Sequence, residues 1–202
     1  MKDIVIIGGG GHAKSVADTI ERTGEYRILG YTDPEDKKWH DYPYLGNDQV
    51  LETLKDKVRY LAFGLGYLGE NTLRDRLYQY VKGLDYELPP IIDPSAIIST
   101  KAVVEEGTFI GKGVVVNIDA RIGRMSIINT RTVVEHDNLI GPFSHLAVNV
   151  IMCGNVRTGS HVFIGANTTV IQGVSIGDRT IIGANSLVLH DMTKDEKSFG
   201  II

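Results

Sequence analysis

The chain has 202 residues, 43% of them hydrophobic, with 21 basic and 25 acidic residues and a formal net charge of −4. That length accommodates one large domain or two small ones, and the charge offers no basic field to a nucleic acid or an anionic membrane. The single cysteine, Cys153, excludes an intrachain disulfide framework and a CxxC zinc knuckle and suits a reducing compartment.

MKDIVIIGGGG at the N-terminus is apolar too briefly for a signal peptide or a membrane span, so the cytoplasm is the expected location. Within it IVII (4–7) reads as a buried strand. GHAKSVADTIERTG (11–24) reads as a helix with Ala13, Val16, Ala17 and Ile20 on one face, and YRILGYTD (26–33) as a second strand. A third strand is expected at RYLAFGLG (59–66) and a helix at ENTLRDRLYQYVKG (70–83). Strands alternating with helices imply a parallel α/β sheet, here a Rossmann-like half-domain over residues 1–89. Pro89, Pro90 and Pro94 then interrupt both helix and interior strand, and the domain boundary is placed there.

The period changes to six in the second part, residues 90–202. Stepping by six from Ile92 to Val188 meets 17 positions, of which 16 are aliphatic or Met and one is Thr158. Such self-similarity is the signature of a parallel β-helix of hexapeptide units, each burying its apolar face only by stacking on the next. Three units make one triangular coil, so residues 18 apart stack.

The N-terminal GGGGHA (8–13) fits GxGxxA between a strand and a helix, with Asp33 about 20 residues on. Its physics is anion binding: glycines let the backbone approach a phosphate, and a helix N-terminus offers N–H groups. The half-domain is short for a full NAD site, which favours a mononucleotide or the diphosphate of a nucleotide sugar. His12 is either a ligand contact or a helix residue with local bonds only. Arg74 either lines this cleft, with Gly64, or is a solvated helix residue.

In the repeat region, TVVEHDNLIGPFSH (132–145) carries two histidines. His136 falls near a corner beside Glu135 and Asp137. A carboxylate there would orient the ring and raise its basicity, as a general base requires; the alternative is a solvated corner histidine. One coil on, Gly154 stacks beside His136, either as a backbone donor to an oxyanion or as a glycine easing a turn. Cys153 follows inward Met152 and reads as a packed thiol, not a nucleophile. His136, His145 and His161 do not reproduce the three-histidine pattern of hexapeptide-repeat carbonic anhydrases, so no metal is expected.

EHDNLIGPFSH, preceded by IINTRTVV and followed by a Cys-Gly-Asn step, together with GGGGHAK, resembles the bacterial sialic acid O-acetyltransferase and nucleotide-aminosugar N-acetyltransferase family over nearly the whole chain. The resemblance implies a left-handed β-helix, a homotrimer with active sites between neighbouring helices, and acetyl-CoA as co-substrate. It also implies His136 as the base, Asp137 as its orienting acid, Gly154 as oxyanion donor and His145 beside the thioester. Gly8, Gly11, His12 and Asp33 occupy the positions that bind the acceptor's nucleotide. The expected reaction is N-acetylation of a nucleotide-linked 4-amino-4,6-dideoxy sugar for surface glycan synthesis. O-acetylation of sialic acid or a related sugar is the nearest rival, and a non-catalytic nucleotide-sugar-binding trimer is the rival of another class. An NAD-dependent oxidoreductase is disfavoured by the short first domain. Beyond the point where this chain has SFGII these enzymes usually continue with a glycine-proline-alanine-lysine segment that helps hold coenzyme A; a differently built coenzyme pocket or a truncated chain is the expectation. The loop GLGYLGEN (64–71) also looks longer than the family's turn.

Overall fold

The computed structural model describes residues 1–68 and 72–202. They form two compact units, one of residues 1–66 with 72–94 and one of residues 67–68 with 95–202. Nothing in the sequence signals that Tyr67 leaves the first unit for the second.

The first unit contains β1 (Lys2–Ile7), α1 (Gly11–Thr23), β2 (Tyr26–Thr32), β3 (Tyr44–Gly46), α2 (Leu51–Leu54), β4 (Tyr60–Phe63) and α3 (Leu73–Gly83). Its strands form one parallel sheet in the order β3-β2-β1-β4. Ile4, Val5, Ile6 and Ile7 are all buried, which accounts for an unbroken apolar run where a one-sided strand would alternate. Helix α1 ends because Gly24 takes φ 67° and returns its N–H to Glu21 O. β4 stops at Phe63, short of the expected residue 66, and the next residue, Gly64, still bonds Ile7 O at 2.7 Å. Between β2 and β4 the sequence showed no period, yet β3, a 3-10 turn at Asp48–Val50 capped by the Asn47 side chain, and α2 lie there. Each is four residues or shorter, too short for periodicity to register. Of the expected helix 70–83, residues 70 and 71 lie outside the described residues, as do the last three positions of the loop 64–71.

The second unit is a parallel β-helix of two-residue strands six residues apart. Its strands form three faces. Face I runs from Val103–Val104 to Ser175–Ile176, face II from Phe109–Ile110 to Lys197–Ser198, and face III from Ile97–Ile98 to Leu187–Val188. Partners in each ladder are 18 residues apart, as in Val133 with Val115 and Ile151. The inward residue of every hexad from Ile110 to Val188 is buried. From Gly107 to Asn185 the second residue of every two-residue turn adopts left-handed φ, even where it is Met125, Arg131, Phe143 or His161. That conformation costs about 1–2 kcal/mol for such residues, whereas burying one Ile or Val contributes about 1.5–3 kcal/mol, so the hexad's apolar residue outweighs its corner. After Val188 the register breaks: Met192 pairs with Ile176, 16 residues back instead of 18. The corner directly after Val188 is thereby two residues shorter, which is why the hexad count stops.

Candidate active site

The corner between faces III and I passes through Glu135, His136, Asp137 and Asn138. Asp137 has φ 62°, and its carboxylate Oδ2 lies 2.7 Å from His136 Nδ1. A carboxylate can only accept, so Nδ1 carries the proton and Nε2 keeps its lone pair. The Asp137 hydrogen bond raises the His136 pKa above its ordinary value, against a smaller lowering by burial, with the charges of Asp137 and Glu135 adding to the rise. Both His136 and Asp137 are exposed. Glu135 is half-buried and accepts from Asn117 Nδ2 at 2.9 Å.

Gly154 sits against the free edge of this imidazole. A Cβ built there would lie 2.6 Å from both His136 Cε1 and Nε2, so only glycine leaves the basic nitrogen open to another molecule. Asn155 N–H donates to His136 O at 2.9 Å, fixing the two turns one above the other, while the Gly154 N–H makes no hydrogen bond among the described residues. Along the same corner Gly173 N–H donates to Gly154 O at 3.0 Å. The corner continues there as an open groove of about 530 Å³ lined by Gln172, Gly173, Leu189 and His190.

A base at this corner acts in its neutral form, which is present above its pKa and lost below it. Because Asp137 raises that pKa, the acid limb of kcat/KM is expected above pH ~6.5, the ordinary histidine value. Asp137→Asn keeps a residue that tolerates left-handed φ; it should move this limb to lower pH and lower the plateau about tenfold. A pH–rate profile of both proteins checks this, and an unmoved limb would exclude Asp137 as the tuning group.

His136, Asp137 and Gly154 are thus brought together, and His145 is not among them. It opens the strand His145–Leu146 of face II, opposite the His136 corner. It is buried, and its Nδ1 donates to Tyr67 O at 2.5 Å. Its Nε2 lies 3.5 Å from Asn129 Nδ2. The Tyr67 hydroxyl donates to His161 O at 2.9 Å, and the His161 ring stacks on Phe143 at 5.2 Å. Sequence reasoning missed Tyr67 and Asn129 because their relation to His145 is a matter of register and of one outlying loop residue.

In the first unit the nominated residues divide into two sets. Gly8 (φ 92°) and Gly64 are packing glycines: a Cβ would strike Leu65 at 2.9 Å in the one case and Ala13 at 2.4 Å in the other. Asp33 is buried, and its Oδ2 accepts the Gly9 N–H at 2.9 Å, tying the glycine loop to the end of β2. Arg74 is buried, with its guanidinium on Leu65 O and over the Phe63 ring, and burial lowers its pKa to about 10. It is not the solvated helix residue of the bland alternative. Gly10 and Gly11, by contrast, face open space at the start of α1, with half-buried His12 following. Among the described residues no group of three or more His, Cys, Asp or Glu is placed to hold a metal, and no helix is long and apolar enough to cross a membrane.

A parallel hexapeptide β-helix thus carries the histidine–carboxylate pair at one of its corners. Residues 3–81 match the PglD N-terminal domain family and residues 155–190 the bacterial transferase hexapeptide (six repeats) family. The fold is similar to that of a histidine-to-alanine mutant of GDP-perosamine N-acetyltransferase from Caulobacter crescentus in complex with CoA and GDP-perosamine. The TM-score is 0.93 and the identity 33%, covering 99% of this chain and 94% of that one. The acetyltransferase domain of PglB from Neisseria gonorrhoeae FA1090, in complex with acetyl coenzyme A, matches with TM-score 0.92 at 25% identity over 98% of this chain and 96% of that one. UDP-N-acetylbacillosamine N-acetyltransferase of Bacillus subtilis (strain 168) is 31% identical over 116 residues, 54% of this chain. That match spans about half of the curated relative, 51% of its length. The chain belongs to the nucleotide-aminosugar N-acetyltransferase family of left-handed β-helix, acetyl-CoA-dependent acetyltransferases.

Proposed function

We propose that this protein transfers the acetyl group of acetyl-CoA to the 4-amino group of a nucleotide-linked 4-amino-4,6-dideoxy sugar. The observation that carries this reading is the pairing of His136 Nδ1 with Asp137 while Nε2 faces a glycine. The neutral amine attacks the thioester carbonyl carbon, and His136 Nε2 takes the proton that the amine loses. The Gly154 N–H meets the oxygen on which negative charge develops. Collapse breaks the C–S bond, and the departing CoA sulfur recovers the proton from His136, which returns the base to its starting state. The groove past Gln172 and His190 gives the coenzyme's arm a path along the same corner.

The first unit would hold the acceptor's nucleotide. The open backbone at Gly10 and Gly11 and the N-terminus of α1 suit a diphosphate, and His12 follows on the first turn. Asp33, Gly8, Gly64 and Arg74 act there by shaping the loop that receives it. In the related GDP-perosamine enzyme the acceptor is a nucleotide-linked amino sugar, which supports N- over O-acetylation.

The trimer belongs to the same reading. On face III the outward residues Ile97, Val115, Val133, Ile151 and Leu187 form an aliphatic stripe interrupted only by Thr169. Ile97, Ile151 and Leu187 are exposed, and a second copy of the chain is their natural cover. A thioester-side role for His145 then requires a neighbouring chain, because His145 lies on the face opposite His136 in its own. Ile151→Lys combined with Leu187→Lys should convert a three-chain particle to monomer by light scattering and lower activity at least tenfold; a variant still trimeric would move the interface elsewhere. The cytoplasm, where acetyl-CoA is made, is the location that fits, with surface glycan synthesis as the setting.

The test is release of CoA thiol from acetyl-CoA with UDP-, GDP- and dTDP-linked 4-amino sugars and free sialic acid as parallel acceptors. Turnover with one nucleotide sugar is the expected result. Turnover with sialic acid alone would replace N- by O-acetylation, and no turnover with any acceptor would leave a binding protein.

A further inference from the structure

The interior of the His136 corner holds a residue that its own column does not explain. Directly behind each two-residue turn an inward side chain packs into the β-helix, and at this corner the stacked series is Ala120, Asn138, Val156 and Val174, all buried. Three of the four are apolar. The carboxamide interrupts them at the one level where His136 and Gly154 meet.

Its bonds run to the peptides that carry those two residues. Asn138 Nδ2 donates to Glu135 O at 2.7 Å and Cys153 O at 3.0 Å, with Met152 O at 3.4 Å, and Oδ1 accepts the Val156 N–H at 3.0 Å. Glu135 O shares a peptide plane with the His136 N–H, and Cys153 O shares one with the Gly154 N–H. These peptides are trans, so a carbonyl held inward turns the N–H of the same plane outward. The Asn138 amide thereby aims the Gly154 N–H away from the core and ties it to the backbone on which His136 sits. Hydroxyls do part of this elsewhere: Ser144 donates to Gly159 O at 3.3 Å and accepts Val162 N–H at 3.1 Å. Thr180 makes the two-carbonyl pattern at another corner, to Gly177 O at 2.8 Å and Thr193 O at 2.9 Å, and Ser186 bonds Gly183 O before its own turn at 2.8 Å. In the column of the His136 corner, Asn138 stands among Ala120, Val156 and Val174, whose side chains cannot make these bonds.

We propose that Asn138 is a positioning residue for acetyl transfer, which sets the direction of the Gly154 N–H relative to His136 through hydrogen bonds to both preceding carbonyls. This rests on the reading of His136 as base and Gly154 as oxyanion donor. Removing the amide leaves the His136–Asp137 pair intact, so it should slow the chemical step without moving the pH at which the base titrates.

The test is Asn138→Val, which has a precedent at Val156 and Val174, with Asn138→Ala, which has one at Ala120, and Asn138→Ser as the conservative replacement. For valine and alanine, kcat should fall roughly 10- to 100-fold, a fraction of the 10²–10³ that loss of a whole oxyanion donor costs. KM for both substrates should stay within about twofold and the acid limb should not move. Serine, reaching the same carbonyl and amide as Ser144 does, should recover most of the rate. Wild-type kcat in a folded valine or alanine variant overturns the proposal. So does a shifted acid limb, a loss confined to KM, or failure of both apolar variants to fold, which would make the role purely structural. His136→Ala run alongside separates the two levels: if it keeps wild-type turnover the reading of the site falls, and if it is slow while Asn138→Val is not, only the Asn138 proposal falls.

Discussion

Replacing His136 by alanine is expected to slow acetyl transfer at least ~100-fold, since general-base assistance is typically worth 10²–10⁴. The imidazole offers one basic nitrogen, Nε2, because Nδ1 is committed to Asp137 at 2.7 Å. On the proposed mechanism, without it the proton released by the attacking amine would have no acceptor held in place, and the loss should fall on kcat more than on either KM. Structural cost should be small, because the side chain is exposed and surface substitutions usually stay within about 0.5 kcal/mol. Thiol release at saturating acetyl-CoA and amino sugar, with a melting curve as control, makes the measurement. Near wild-type turnover would remove His136 from the chemistry.

The β-helix was legible because its rule is local and repeated: an aliphatic residue every six positions needs no knowledge of distant partners. The same rule carried His136 to a corner and Gly154 to its side by counting 18, and the ring edge at 2.6 Å from a Gly154 Cβ agrees with that count. The count also held the location of His145, since a residue just before an inward Leu146 points outward from a flat face. What it lacked was Tyr67, whose carbonyl covers that histidine from 78 residues away. In the first unit the motif GxGxxA marked the right loop but did not separate packing glycines from open ones. Gly8 and Gly64 are required by Leu65 and Ala13, whereas Gly10 and Gly11 meet nothing within 4 Å. That distinction depends on what lies opposite each glycine, which a strand–loop–helix pattern does not encode. Asn138 was passed over for a related reason: its neighbours in the column are Ala120, Val156 and Val174, and only stacking reveals that a carboxamide there is out of character.

Gly154→Ala should lower turnover roughly 100-fold while leaving the melting temperature within about 2 °C of wild type, and that combination is its diagnostic. Gly154 does not use positive φ, so alanine is conformationally acceptable there. The added methyl meets only the edge of an exposed imidazole, at 2.6 Å, which can swing aside at little cost to the fold. On the proposed reading the swing breaks the arrangement for transfer: either Nε2 leaves its place, or the methyl fills the space in which amine and thioester would have to meet within ~3–3.5 Å. Gly141 supplies the contrast within the same β-helix. A Cβ there would lie 2.1 Å from the backbone oxygen of Gly159, which cannot move without displacing a coil, so Gly141→Ala should cost stability first, by about 1–3 kcal/mol. If Gly154→Ala instead loses stability and keeps its rate, the glycine serves the turn and the reacting atoms lie elsewhere along the corner. If it loses rate alone, the gap between His136 and Gly154 is where the acetyl group changes hands.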